Sequence, residues 1–404
     1  MKAKGWFSYI GPGLLYAGAA IGVSHLVQST RAGALFGFQL IAFVLVVNLL
    51  KYPFFEAGSR YAGATGKSLV HAYGKINKNL LWIYVAQTFI TMFIVQMALT
   101  IVTTGIVKTL FKIDLPDWNV AAFISLAAVL ILTLGHYNLL KKFTTWVVIT
   151  LSICTVIAVA FAFAKPVDIV QNNTVFALNN KIHIAFLVAL IGWMPAPLDI
   201  SVWQSVWRVD GKEEVHLGKS MIDFHVGFWG TAIISITFMS LGALIFFKSG
   251  QDLATGGSDF SAQLVNMYTS AIGKWAWPIV AFAAFGTMFT TCLTCLDANP
   301  RVILRSLQEL KLPVKRPFYI FLVILSASGA VLIPVLSRQS MTTLVDFATT
   351  VSFMTAPFFA TLNYMVNRRL AKEHQPGKFN VVISWLGLIF LYGFAIFYVW
   401  GKIA

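Results

Sequence analysis

The chain has 404 residues, of which 58% are hydrophobic and only 11% are charged. Soluble domains carry about 25% charged residues, so the composition excludes a water-soluble protein and predicts an all-α membrane protein, with residues 1–404 forming one domain. A net charge of +15 is typical of nucleic-acid binding in soluble proteins. Here the basic residues mark the loops of a membrane protein, and we expect no nucleic-acid partner.

Eleven apolar segments of about 20 residues are predicted to cross the membrane as helices. In chain order they cover residues 8–31, 34–57, 80–107, 117–136, 144–164, 182–206, 224–247, 275–298, 317–337, 341–364 and 380–401. Most of the 30 basic residues lie in loops on the N-terminal side of the membrane. The positive-inside rule therefore predicts a cytoplasmic N-terminus and a C-terminus outside.

Two of these spans are interrupted near their centres. The first contains glycines and polar residues around Gly22, and the sixth contains the sequence IGWMPAPLDISVW from Ile191, in which Pro195 and Pro197 bracket one residue. Proline removes a backbone donor and clashes with the preceding turn. Both helices are therefore expected to unwind, which a membrane tolerates only where the backbone faces protein or a cavity.

Breaks in spans one and six of eleven predict an inverted repeat of five plus five helices. Repeat one would cover about residues 8–164, repeat two about 182–364, and an extra helix about 380–401. An odd number of helices in each repeat gives the two halves opposite topology. The simpler alternative is that Gly and Pro are common in membrane helices.

In such a repeat the two unwound segments face one cavity at the middle of the membrane, where freed carbonyls and side chains can act as ligands. The candidate substrate-binding residues are Gly22, Ser24, His25, Ile191, Met194, Ala196 and Asp199. The imidazole of His25 and the thioether of Met194 are candidate metal ligands, because both suit later transition metals. The structural alternatives are a buried His bonded to a carbonyl, a Met that fills a gap, and an Asp199 that caps the second half-helix.

Five segments carry a resemblance to a known family. They are GPGLL from Gly11, STRAGALFGF from Ser29, YPFFEAGSRYAGATGKSL from Tyr52, GWMPAPLDISVW from Gly192 and TTCLTCLDANPR from Thr290. Together they resemble the natural resistance-associated macrophage protein (Nramp) metal-ion transporters, and most of all a divergent bacterial branch. The resemblance implies a leucine-transporter-type fold and alternating-access transport of a divalent metal ion across the bacterial cytoplasmic membrane.

The residues at the family's metal site differ in this chain. Where the family has Asp-Pro-Gly-Asn in the first helix, this chain has the four residues that begin with Gly22 and end with His25. Met194 matches the family's Met, but Ala196 stands where a His linked to proton movement is expected. The third span, residues 80–107, contains no Asp or Glu. We therefore expect transport without appreciable proton coupling.

The resemblance also implies a sodium-like site. In sodium-coupled members of this fold, hydroxyls of the eighth helix and carbonyls of the first break hold the ion, and Thr290, Thr291, Gly22 and Val23 stand at the matching depth. The alternative is that each Thr bonds back to its own helix.

Charged residues inside the other spans are few, and such residues are functional by default. Lys51 and Glu56 lie near the predicted inner surface, so we expect an ion pair or snorkelling to water rather than substrate contact. Asp297, near the end of the eighth span, is expected to cap that helix or to pair with a basic loop residue.

The sequence therefore predicts an Nramp-like secondary transporter with a divalent metal ion as its leading substrate. One alternative is a small organic or amino-acid-like solute, which the missing acid at Gly22 leaves room for, and another is a sensor or scaffold that does not transport. No nucleophile–base pair or nucleotide motif predicts an enzyme. We expect no cofactor apart from a metal ion as substrate, and no partners beyond membrane lipid and the transported substrate or ion.

Overall fold

The structure is a computed structural model that describes residues 12–134, 137–164, 174–211 and 215–403. The beginning of the first predicted span, with Lys2 and Lys4 before it, lies outside the described residues. The described helices are α1 (Pro12–Ala20), α2 (Thr30–Phe36), α3 (Ile41–Thr65), α4 (Leu69–Ile76), α5 (Lys78–Phe111), α6 (Asp117–Leu134), α7 (Tyr137–Ala164), α8 (Lys181–Gly192), α9 (Ile200–Asp210), α10 (Leu217–Gly242), α11 (Gly257–Ile272), α12 (Trp277–Glu309), α13 (Arg316–Ser337), α14 (Met341–Arg368) and α15 (Lys378–Ile403).

Among the described residues, nine helices are long and apolar enough to cross a membrane, namely α3, α5, α6, α7, α10, α12, α13, α14 and α15. Two further crossings are each built from two half-helices, α1 with α2 and α8 with α9. Nine continuous and two broken crossings make the eleven that the sequence predicts, so the fold class is confirmed. The boundaries of the two repeats stay a prediction.

Helix α12 continues to Glu309, past the end predicted at residue 298. Pro300 does not end it, because Val302 and Leu307 extend a buried apolar face. Asp297 is therefore an interior residue of the helix, and the predicted cap at a helix end is wrong.

Close backbone contact holds the sixth crossing where it unwinds. A Cβ atom on Gly192, the last residue of α8, would lie 1.9 Å from the carbonyl oxygen of Thr349 in α14. Only glycine allows that approach, since any side chain would push the two helices apart. The end of α8 is thereby fixed against the tenth crossing.

The outer helices present large apolar side chains away from the bundle. Phe123 in α6 is 75% exposed, Trp146 in α7 is 70% exposed and Leu336 in α13 is 79% exposed. Apolar area on this scale is unfavourable in water and suits lipid. The chain is a multi-pass membrane protein whose polar groups are collected in the bundle interior.

The orientation can be tested at the two ends of α5. Its 34 residues span about 51 Å at 1.5 Å per residue, more than the roughly 30 Å hydrocarbon core. Lys75 and Lys112 are exposed on either side of it. We expect Lys112→Cys, but not Lys75→Cys, to react with an impermeant maleimide in intact cells, in a background without the three native cysteines. The reverse labelling pattern would invert the topology.

Candidate functional site

The first crossing unwinds over residues 21–23. The carbonyl of Gly22 accepts hydrogen bonds from the N–H groups of His25, at 3.1 Å, and Leu26, at 2.9 Å. A wide π-helical turn over Ser24–Ser29 follows and leads into α2. The break is short, and the Gly22 carbonyl already accepts two hydrogen bonds from the backbone of the same crossing.

The sixth crossing is not helical between the end of α8 and the start of α9. This stretch has seven residues, from Trp193 to Asp199. Regular helical bonding stops here, and the N–H of Met194 bonds to the Ile191 carbonyl at 3.2 Å. The prolines at 195 and 197 cannot donate at all. The predicted unwinding is therefore present, and it leaves carbonyl oxygens at the end of α8 available to other groups.

A cavity of about 20 Å³ separates the two breaks, which is roughly the space of one water molecule. Its lining includes Ala20, Val23 and Ser24 from the first crossing, Trp193, Pro197 and Trp203 from the sixth, and Leu99, Thr291 and Cys295 from α5 and α12. The lining is mostly apolar, and the space that it encloses is very small.

His25 is fully buried, and both nitrogens of its ring are engaged. Nε2 donates to the Thr231 carbonyl in α10 at 2.9 Å, and Nδ1 lies 2.7 Å from the hydroxyl oxygen of Ser24. The Ser24 hydroxyl also contacts the Ala20 carbonyl. The ring is thus held towards α10, and neither His25 nor Met194 belongs to the lining of the cavity. That these two side chains contact a substrate stays a prediction.

Lys51 occupies the break in the sixth crossing. Its side chain is fully buried, and its ammonium donates to the carbonyls of Ile191 at 2.9 Å, Met194 at 3.0 Å and Ala196 at 3.3 Å. Three of the predicted substrate-binding positions therefore meet at one lysine. The prediction of snorkelling to water is wrong, because α3 packs directly against the broken crossing and leaves the side chain no path to the surface.

Glu56 does not pair with Lys51. Its carboxylate bonds to Arg60, one turn further along α3, and to the side-chain amide of Asn380 in α15, at 2.7 Å. The predicted pair is wrong for a geometric reason: five positions on a helix are separated by about 500°, which puts the two side chains on different faces.

Asp199 is buried immediately before α9, and one of its carboxylate oxygens, Oδ1, has no hydrogen-bond partner in the protein. It makes no side-chain cap to α9, which is the role that the structural alternative gave it. Lys51 and Asp199 are near enough to interact electrostatically. One basic and one acidic side chain thus lie at the same unwound segment, Lys51 on its carbonyls and Asp199 at its end.

The residues of the predicted sodium-like site come together only in part. Thr291 packs against Gly22, and its hydroxyl lies 2.9 Å from the Gly18 carbonyl and 2.8 Å from that of Thr287. Thr290 bonds back to Thr287 at 3.0 Å, as the structural alternative expects. Val23 lines the cavity. An ion at this site stays a prediction.

On the predicted outer side, an ion pair links the first and tenth crossings. Arg31 donates to both carboxylate oxygens of Asp346, at 2.6 and 2.9 Å, and Gln28 bonds to Asp346 and to Thr349. This layer borders an open cavity of about 500 Å³. The sequence does not predict this ion pair, because pairing between residues more than 300 positions apart leaves no local pattern.

On the predicted inner side, Arg301 bonds to Asp297 at 2.7 Å and to Asp210 at 3.1 Å, and Arg305 bonds to Asp210 at 2.6 Å. Asp297 therefore pairs with a basic residue, but the partner is Arg301 of its own helix and not the loop residue that the sequence predicts. A second open cavity of about 680 Å³ adjoins this network. Polar layers thus stand on the two predicted sides of the small central cavity.

In the described part of the chain, side chains alone do not form a metal site. Within it, no group of three or more His, Cys, Asp or Glu side chains is arranged to hold a metal ion. A metal ion between the breaks would therefore depend on backbone carbonyls and hydroxyls in addition to any side chain.

One family model matches almost the whole chain. The family described as natural resistance-associated macrophage protein-like, Nramp, matches residues 13–401. An uncharacterized protein of Pasteurella multocida is 33% identical over 404 residues, with 97% of this chain and 92% of that protein covered. A divalent metal cation transporter, MntH, of Bradyrhizobium diazoefficiens is 19% identical, with 94% of this chain and 86% of that protein covered.

Among solved structures, a mutant of the manganese transporter of Eremococcus coleocola superposes with a TM-score of 0.71 at 13% identity. The superposition covers 98% of this chain and 87% of that one. At this identity the likeness shows the fold, and the predicted leucine-transporter-type architecture is confirmed.

The contact between Gly22 and α12 can be tested by substitution. A Cβ atom at position 22 would lie 2.9 Å from Cγ2 and 3.0 Å from the hydroxyl of Thr291. We expect Gly22→Ala to lower the free energy of unfolding by about 1–3 kcal/mol through overpacking. Gly22→Ala/Thr291→Ala should recover much of that loss, measured by thermal unfolding in detergent. Simple addition of the two single-variant losses would contradict this contact.

Proposed function

The chain belongs to the Nramp family, and we propose that it is a secondary transporter that carries a divalent metal ion across the bacterial cytoplasmic membrane by alternating access. In the proposed orientation the N-terminus is cytoplasmic and the C-terminus is outside. The observation that carries the proposal is the pair of broken crossings that face each other across a small, mostly apolar cavity. Open cavities with polar layers on both sides support alternating access.

Alternating access requires that one side closes before the other opens. The Arg31–Asp346 pair joins the first crossing to the tenth, and the Asp210–Arg301 pair joins the sixth to the eighth. Loss of the Arg31–Asp346 pair would allow the first crossing to move away from the tenth. Loss of the Asp210–Arg301 pair would allow the sixth crossing to move away from the eighth. We assign the first pair to the outer closure and the second to the inner closure.

Oxygen atoms at the break in the sixth crossing support a cation as the substrate. Asp199 offers a buried carboxylate oxygen without a partner, and the end of α8 offers carbonyl oxygens, which are stabilised by positive charge at a helix C-terminus. Two relatives in the comparisons are named for a divalent metal and for manganese. His25 and Met194 remain the softer candidate ligands for later transition metals.

A second candidate is a small organic or amino-acid-like solute, and one observation favours it. The central cavity is lined largely by Val23, Leu99, Trp193 and Trp203, side chains that suit an apolar group rather than a metal ion. Gly22 also contributes no carboxylate. A sensor or scaffold that does not transport would show binding without uptake.

The direct test is metal uptake into liposomes that contain the purified protein. We expect saturable uptake of a divalent metal such as Mn²⁺, and at least a tenfold loss in Asp199→Asn, because the variant removes the charge but keeps the shape. Asp114→Asn, at an exposed loop position, is the matched control and should transport normally. Uptake of a solute from an amino-acid panel, with no metal uptake, would favour the second candidate instead.

Coupling is tested separately. Because Ala196 replaces the family's proton-linked His and the third crossing has no acid, we expect metal influx without acidification of the liposome interior. A pH-sensitive dye enclosed in the liposomes reports this directly. Acidification that scales with metal uptake would contradict the proposal.

A further inference from the structure

We propose that the ammonium of Lys51 is a tethered cation that occupies the carbonyl ligands at the break in the sixth crossing, so that a metal ion binds there only by displacing it. The inference rests on the proposed function and deepens it, since it assigns to Lys51 the control of cation affinity at the transport site. Lys51 is then a specificity-determining residue that the metal-site pattern of the family does not include.

The hydrogen bonding of Lys51 is complete. A lysine ammonium has three donors and no acceptor, and its three protons are matched by the carbonyls of Ile191, Met194 and Ala196. The side chain has no exposed area. The three carbonyl oxygens take the place of the water molecules that would hydrate a free ammonium. Protein oxygens take the place of water around a bound metal ion in the same way.

Local structure favours a cation at this point. The three carbonyls belong to the last residues of α8 and the segment after it, and the C-terminal end of a helix carries partial negative charge. The ring of Phe55, one turn after Lys51 on α3, lies 5.8 Å from the ammonium and adds a cation–π contact. Asp199 supplies the formal negative charge nearby.

The alternative is that Lys51 only holds the unwound backbone together. That role and the proposed one use the same bonds, but they differ in their consequences for a metal ion. A structural lysine would leave metal affinity unchanged or lower when it is removed. A competing cation would leave metal affinity higher, because the carbonyls and the field of Asp199 become available.

Charge repulsion opposes the binding of both cations to these carbonyls at once. Hard divalent ions bind protein oxygens at about 2.0–2.6 Å, and the ammonium already lies 2.9 Å from the oxygen of Ile191. Two positive charges a few ångströms apart in a buried site repel strongly. A metal ion therefore binds to these carbonyls only when the Lys51 ammonium leaves them. One positive group replaces another at the site.

The experiment measures Mn²⁺ binding by isothermal titration calorimetry on the purified full-length protein in detergent. We expect Lys51→Met to bind Mn²⁺ at least tenfold more tightly than the wild type, because Met fills similar space without charge or donors. Lys51→Gln keeps donors for the carbonyls and should show a smaller gain. Lys108→Met, which removes a lysine paired with Asp117 near the outer end of α5, is the control and should bind as the wild type does.

The site of the gain is checked by adding Asp199→Asn to Lys51→Met, which should abolish it. A folded Lys51→Met protein that binds Mn²⁺ no more tightly than the wild type overturns the inference. If that variant aggregates, Lys51→Gln decides: wild-type affinity in Lys51→Gln overturns the inference and tighter binding supports it. Absence of wild-type metal uptake in liposomes would reject the proposed function alone, since a gain of binding in Lys51→Met would still support the competition.

Discussion

Unwound backbone inside a membrane is the constraint on which this structure depends. Lipid offers no hydrogen bonds, so each polar group freed by a broken helix must find a partner in the protein. In the sixth crossing the carbonyls bond to the Lys51 ammonium, and in the first crossing Thr291 bonds to the Gly18 carbonyl. These partners come from helices that do not break, which is why α3 and α12 lie directly against the two breaks.

Charged groups are arranged in layers along the axis perpendicular to the predicted membrane plane. The ion pairs Arg31–Asp346 and Arg301–Asp297 stand on the two sides of the centre, while Lys51 stands alone on carbonyls at the break itself. The outer layers can open to water during transport, whereas the charge at the centre stays buried and must be balanced within the protein.

This chain belongs to a family of metal transporters, but the side chains at its site differ from the metal ligands of that family. The fold, with its two breaks, is that of the family. The residue at the acidic position is Gly22, which packs so closely against Thr291 that any side chain there would have to displace the Thr291 side chain. The same volume that a carboxylate would fill is thus used for helix packing, and the formal negative charge lies instead at Asp199, in the sixth crossing.

The sequence by itself determined the membrane class, the eleven crossings and the positions of both breaks, because hydropathy and proline act locally along the chain. The family was also visible in short local motifs. Only the tertiary structure decided where the long-range polar partners lie: that His25 turns to Thr231, that Arg31 meets Asp346, and that Lys51 reaches the carbonyls 140 to 145 positions away rather than Glu56. The sequence predicts that a charged residue within a membrane-spanning helix needs a partner. Helix packing determines which residue that partner is, because it brings together residues that are far apart along the chain.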